Sequence, residues 1–408
     1  GKIVCGNACR INWEEVCPRK LSEEVFVLGN PPYVGSRKQN QNQKDDLKAV
    51  FKGVKRYKDL DYIACWFYKG AKYIKGTRSE LSFVSTNSIT QGLQVSLLWP
   101  HIFNENVKIS FAHNSFKWQN NAKSNAAVTV VIIGLLSIES NKGIRLIKDS
   151  YAREVTCINP YLSIGRSNTF IYSRSNQLSG LPKINHGNMP ADGGMLLFST
   201  EEKDKFLIEE PESEKWFKKI LSAREYLNGR DRWCLWLEGI TEKEIEELPK
   251  VKNVINSVKE IRLKSSRPEL AENSHLFAQI TQPENVNCVI IPRVSSERRE
   301  YLPASFIDGS TYKVTDSLFT IATNEPYILG LVSSKMHTVW LRIIGGKMKT
   351  DYQYSKNVVY NTFPFPRITQ KKIDEISQCV LRIIEVREKY SDKTLAQLYD
   401  PIKMPNEL

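Results

Sequence analysis

The chain has 408 residues, room for two or three domains at roughly 100–200 residues each, and its 41% apolar and 25% charged content is that of an ordinary globular protein. No apolar run approaches a membrane span and no secretory leader is evident, so a cytoplasmic setting without a membrane partner is expected. The 58 basic residues against 45 acidic ones leave a net charge of +13, which suits a polyanion partner, because neutralised phosphates release counterions.

Eight cysteines show no C-x-x-C spacing, and the five histidines do not cluster with them, so reduced thiols and no metal site are expected. The first residue is Gly1 rather than Met, and Lys2–Cys5 already reads as a strand. The chain is therefore expected to begin inside a larger polypeptide. Trp13–Val16 predicts a short helical turn, and the apolar Val25–Gly29 predicts a buried parallel strand.

Asn30-Pro31-Pro32-Tyr33 follows that strand directly. Ligands of open α/β sheets bind outside the carboxyl ends of the strands, so this loop is the first candidate for chemistry. Two prolines fix two φ angles and remove two donors, leaving the Asn30 side-chain oxygen and the Pro31 carbonyl as preset acceptors. Two acceptors can hold both hydrogens of a planar amino group and concentrate electron density on its nitrogen. Tyr33 offers a flat face for a base carrying that amine; the alternative is a rigid turn with Tyr33 on the core. The loop resembles motif IV of S-adenosylmethionine-dependent amino-methyltransferases, which act on adenine, cytosine or protein glutamine.

Gly35–Asp46 is polar and reads as a mobile, substrate-contacting loop. Tyr57–Ile74 has helical spacing, Leu81–Val84 is a second buried strand, and Val95–Phe103 predicts a helix broken at Pro100. Lys108–Phe111 and Ala126–Leu136 predict two more strands, paired as an antiparallel hairpin at a sheet edge. This alternation predicts an α/β fold with a parallel sheet covered by helices. Phe116 and Trp118, in Phe116–Asn120, would face one side of an extended segment and could line a base pocket or belong to the core.

Composition changes after Asp149. A mixed α+β region is expected over 156–366, with helical charged stretches at Glu212–Leu227 and Glu242–Leu263 and β-like runs at Thr169–Tyr172, Trp233–Leu237, Ile280–Arg293 and Tyr312–Thr323. Basic residues interleave with polar and aromatic ones at Arg230/Arg232, at Ser265-Ser266-Arg267, at Arg293–Arg299 (with Arg298), and at Lys347–Tyr354. Each is either a solvated surface or a contact to DNA. Ile373, Ile376, Val380, Ile383 and Ile384 mark an amphipathic helix in the tail 367–408, with Leu395–Tyr399 continuing it.

The order of Asn7, the Asn30–Tyr33 loop, Trp66-Phe67, Phe83–Asn87 and Phe116–Asn120 resembles motifs III to VIII of gamma-class adenine methyltransferases. The resemblance implies that Asn7 contacts the adenosyl part of the cofactor, that Asn30, Pro31, Pro32 and Tyr33 form the catalytic loop, and that Phe116 or Trp118 stacks on the target base. Motif I, the glycine-rich cofactor loop, would precede Gly1. The S-adenosylmethionine site is thus expected to be incomplete in this chain, which alone would bind the cofactor weakly or not at all.

Further along, Asn185–Gly194, Arg232–Leu237, Ile291–Arg299 and Tyr360–Pro366 resemble the MmeI-like family of type IIL restriction–modification enzymes, a likeness extending over essentially the whole chain. It implies a partial Rossmann-like methyltransferase sheet over 1–155, a target recognition domain over 156–366 binding double-stranded DNA, a helical tail over 367–408, and a partner in the N-terminal part of the same polypeptide, with its nuclease. Lys347, Lys349 and Asp351 sit where that family reads a base pair at one edge of its site. Lys349 and Asp351 are read as lying on one side of an extended segment, where they could read guanine and cytosine of one pair or form a surface ion pair. An isolated DNA-binding specificity module and a cytosine amino-methyltransferase are the rival readings.

Overall fold

The computed structural model describes residues 1, 3–20, 23–118 and 129–408. Lys2, Gln119-Asn120 and 126–128, parts of segments named above, lie outside the described residues. The chain is a mixed α/β protein that divides into two compact units, one formed by Gly1–Arg174 with Ile343–Thr350, the other by Ser175–Arg342 with Asp351–Leu408. Ile158 and Leu162 are buried in the core of the first unit. The helical tail belongs to the second unit. No described helix is long and apolar enough to cross a membrane.

The first unit is built on a six-stranded sheet of β1 (Phe26–Gly29), β2 (Glu80–Thr86), β3 (Val107–Lys117), β4 (Thr129–Ser137), β5 (Ile144–Lys148) and β6 (Tyr151–Val155), in the order β1-β2-β4-β3-β5-β6. β1 and β2 are parallel, Gly29 opposite Phe83, whereas β4 runs antiparallel to both β2 and β3. The sheet is therefore mixed rather than parallel. The β3–β4 hairpin forms as predicted but lies inside the sheet, because β5 and β6 extend it.

Helix α1 (Trp13–Val16) forms as predicted, as do α3 (Ala64–Ile74) and α4 (Gly92–Phe103), while Tyr57–Asp59 is a separate 3-10 turn. α4 continues through Pro100, which stands in its last turns, where losing one helical bond does not end the helix. In the expected mobile loop Ser36–Lys38 is a 3-10 turn, and the second half is the start of helix α2 (Gln41–Val50). Asn40 and Gln43 form a capping box that satisfies its first amides.

Two strand expectations are corrected. Residues 3–5 form no strand and Ile3 and Val4 are exposed, since no ladder partner lies alongside. β1 is not buried. It stands at the sheet edge with Phe26 60% and Leu28 75% exposed.

The second unit has one four-stranded sheet of Ser305–Ile307, Cys288–Pro292, Leu318–Ala322 and Ile184–His186, in that order, and another of Tyr312–Val314, Phe217–Leu221, Trp233–Leu235 and Leu197–Phe198. Glu212–Leu227 is not one helix. It divides into a 3-10 turn, the Phe217–Leu221 strand and the helix Ala223–Asn228, whose capping box starts at Ser222. Thr169–Tyr172 forms no strand. The tail helix Gln370–Lys389 packs on the helix Pro326–Ser333, with Ile376 and Val380 against Gly330.

Candidate functional site

The Asn30–Tyr33 loop leaves the carboxyl end of β1, as the position of the apolar run requires. Asn30 and Pro32 are exposed, Pro31 is buried, and Tyr33 is half-buried with part of its ring on the core. Among the described residues the Asn30 side chain has no hydrogen-bond partner, so its amide remains available to a ligand. The far end of the loop is clamped. The Val34 carbonyl accepts from the Tyr62 backbone N–H at 2.9 Å and from Gln39 Nε2 at 3.3 Å. Asp61, next to Tyr62, accepts from the Ser88 hydroxyl beyond β2. Burial pushes its carboxyl pKa up, against the bonds from Ser88 and the Ser36 N–H.

Asn30 and Pro31 stand on the rim of a hollow of about 740 Å³ that follows β1. Its walls include Trp13, Trp66, Tyr73 and Phe83. Flat apolar walls with one convergent amide are what a small ligand with a planar ring needs.

Asn7 lies in the turn before α1, and its side chain is held at both ends. Nδ2 donates to Asp46 at 2.8 Å, and Oδ1 accepts from the Cys9 N–H at 2.8 Å. Asp46 also accepts from Arg10 Nε and from the Tyr62 hydroxyl, both at 2.6 Å. Burial acts to raise the Asp46 pKa, but the donors Tyr62, Arg10 and Asn7 outweigh it and hold the carboxyl below its ordinary value. Sequence reading missed Asp46, Tyr62 and Arg10. The Asn40-x-x-Gln43 capping signal would have turned that stretch into a helix and put Asp46 beside the buried Leu47.

Phe116 and Trp118 are half-buried between exposed neighbours, with ring centres 6.4 Å apart, so they do share a side of the strand end. Phe116 also meets His113 edge-on at 4.6 Å.

The basic residues differ in how free they are. Arg230, Arg267 and Lys349 are exposed. Arg232 lies 3.7 Å from Glu225, and Arg298 lies 3.6 Å from Asp400. Arg293 is committed to Asp316, donating to its carbonyl at 2.9 Å and its carboxylate at 3.3 Å.

Lys347–Asp351 is not extended as expected. Lys349 and Thr350 form the turn between the strands Gly346–Met348 and Asp351–Gln353, with Lys349 at φ 59°. A turn puts the two side chains on different local frames, so their spacing of two no longer fixes a common side. In the first unit, the Gly346 backbone comes within 3.6 Å of where a Cβ on Gly92 would stand, at the start of α4. In the second unit, Arg299 lies half-buried in the field of Asp351 and Asp400.

The Asn185–Gly194 run proves to be structural. Asn188 Oδ1 accepts from the N–H groups of Thr281 and Gln282, and Asp192 accepts from those of Gly194 and Leu196. Arg262, 2% exposed, donates to the carbonyls of Pro190, Ala191, Leu270, Asn273 and Leu276.

Three family models match consecutive parts of the chain: the DNA-methyltransferase domain of MmeI over residues 1–148, its target recognition domain over 165–367, and its C-terminal domain over 368–408. A solved structure of the type IIL restriction-modification enzyme MmeI in complex with DNA superposes with a TM-score of 0.94 at 40% identity, over 100% of this chain and 55% of that one. DNA methyltransferase A of Bacillus subtilis (strain 168) is 43% identical over 100% of this chain and 46% of its own length. The fold is therefore that of a DNA-methyltransferase domain joined to a target recognition domain. The chain belongs to the MmeI-like family of type IIL restriction–modification enzymes, and it spans about half the length of these relatives.

Proposed function

We propose that this chain is the methyl-transferring and DNA-reading part of a restriction–modification enzyme that methylates the exocyclic amino group of adenine within a specific duplex sequence. The observation that carries the reading is the free, exposed Asn30 amide at the end of β1, on the rim of an aromatic-walled hollow. Residues 1–155 form the methyltransferase part, 156–366 the recognition domain and 367–408 its supporting tail.

The adenine must leave the stack to meet the loop, because its amine is otherwise paired and buried. The Asn30 oxygen and Pro31 carbonyl accept the two amino hydrogens and raise the electron density on the nitrogen. Tyr33, with Phe116 or Trp118, covers the faces of the flipped ring. S-adenosylmethionine, when bound, supplies an electrophilic methyl group. The hollow and the Asn30 amide fit an adenosyl compound in size and chemistry, and Ala8, the residue after Asn7, lines it. Positioning and charge complementarity carry the rate, with no covalent nucleophile.

The exposed, apolar edge of β1 supports a further strand from the same polypeptide covering it and completing the cofactor site. Arg230, Arg267 and Arg298 contact phosphates, Arg232 and Arg293 brace that surface, and Lys349, exposed in its turn, reads the guanine of a G·C pair in the major groove. Methylation of duplexes varied at each position tests the base reading. Loss of preference at one G·C pair in a Lys349→Ala protein is expected, and an unchanged preference there refutes it. Detection of N4-methylcytosine instead of N6-methyladenine would refute the choice of base.

A further inference from the structure

We propose that Tyr62 and Asp46 are a positioning pair that couples the Asn7 turn to the Asn30–Tyr33 loop, so that the cofactor side and the base side of the site are set by one hydrogen-bonded link. The inference rests on the functional reading above and adds residues that neither the motifs nor the resemblance assigns.

Tyr62 is bonded in both directions. Its backbone N–H holds the Val34 carbonyl, one residue beyond Tyr33, at 2.9 Å. Its hydroxyl donates to Asp46 Oδ2 at 2.6 Å, and the same oxygen takes Asn7 Nδ2 at 2.8 Å. The other carboxylate oxygen takes Arg10 Nε at 2.6 Å. Because Asn7 Oδ1 is already committed to the Cys9 N–H, the Asn7 amide has one orientation, and Asp46 sets it. The Tyr62 ring is fixed in turn by Trp66, edge-on at 5.0 Å, which itself lines the hollow.

Stability alone does not account for this carboxylate. Asp46 is 2% exposed, and a buried charge of this kind is often matched by an apolar side chain of similar volume. What an apolar residue cannot do is orient Asn7, Arg10 and Tyr62 at once. The pair therefore acts through Asn7 and Val34 and touches no reacting atom.

The test is a double-mutant cycle in the intact protein with Tyr62→Phe, Asn7→Ala and both together. It reads S-adenosylmethionine affinity by calorimetry, single-turnover methylation of a cognate duplex, and melting temperature. Tyr62→Phe keeps the ring and the backbone bond and removes only the hydroxyl. It is expected to weaken cofactor binding and slow transfer by about tenfold each, and to lower the melting temperature modestly, since the carboxylate loses one donor but keeps Arg10 and Asn7. In the Asn7→Ala background the same change is expected to add less than about twofold.

Independent, multiplying effects overturn the coupling, as does a Tyr62→Phe protein that loses melting temperature while cofactor affinity and transfer rate stay as in the parent. Should that chain fail to fold, Asp46→Asn against Asn7→Ala reads the same cycle. An active parent enzyme with multiplying effects removes the coupling alone. A parent that neither binds S-adenosylmethionine nor methylates DNA removes the functional reading and the coupling with it.

Discussion

Arg262 offers a quantitative test of what holds the second unit together. Its guanidinium makes five hydrogen bonds to backbone carbonyls, two in the Pro190-Ala191 turn and three in the Leu270–Leu276 segment. Burial acts to lower its pKa, and Asp192 works the other way. Replacing it with methionine keeps much of the apolar stem but leaves several of those carbonyls without a donor. At about 1–3 kcal/mol for each buried group left unpaired, partly offset by the desolvation of the charge that is no longer needed, a net loss of about 4 kcal/mol is expected. Urea titration followed by tryptophan fluorescence would measure it, with Trp233 and Trp236 reporting on this unit. A loss below about 1 kcal/mol would show that water replaces the guanidinium freely and would refute the reasoning.

His337 predicts a pH dependence. It is buried, bonded through Nε2 to the Tyr354 hydroxyl at 2.7 Å, and burial pushes its pKa down to about 3. The unfolded chain therefore takes up this proton near pH 6.5 and the folded chain does not, so the contribution is complete above about pH 6.5 and falls as pH drops toward 3, by up to about 1.4 kcal/mol per pH unit. Melting temperature against pH should be flatter in His337→Gln than in the parent; identical slopes would contradict this. Gly187→Ala should cost about 3 kcal/mol, because its Cβ would fall 2.2 Å from the Thr315 carbonyl oxygen, a backbone atom that cannot swing away. A melting temperature within a degree or two of the parent would count against that geometry.

What the sequence made legible follows physical reach. The strand–loop junction at Gly29-Asn30 was readable because apolar run, glycine and prolines are all local signals. So was the tail helix, whose 3.6-residue period spans Ile373 to Ile384. The exposure of β1 was not readable, since burial depends on which strand lies alongside, and Phe26 and Leu28 look the same in a central strand as at an edge. The Asp46 cluster joins residues 7, 10, 46 and 62, and no local pattern brings such separated positions together. Lys349 shows a third kind of limit. Spacing of two implies a common side only in extended chain, and a positive φ at that residue breaks the premise.

The loop at Asn30 bears most of the functional weight, and one experiment addresses it directly. Mass spectrometry of a cognate duplex incubated with S-adenosylmethionine and the intact protein, parent against Asn30→Ala, reads both the product and the residue. The account predicts N6-methyladenine from the parent and a rate at least about a hundredfold lower from Asn30→Ala. A variant that methylates within tenfold of the parent would contradict it.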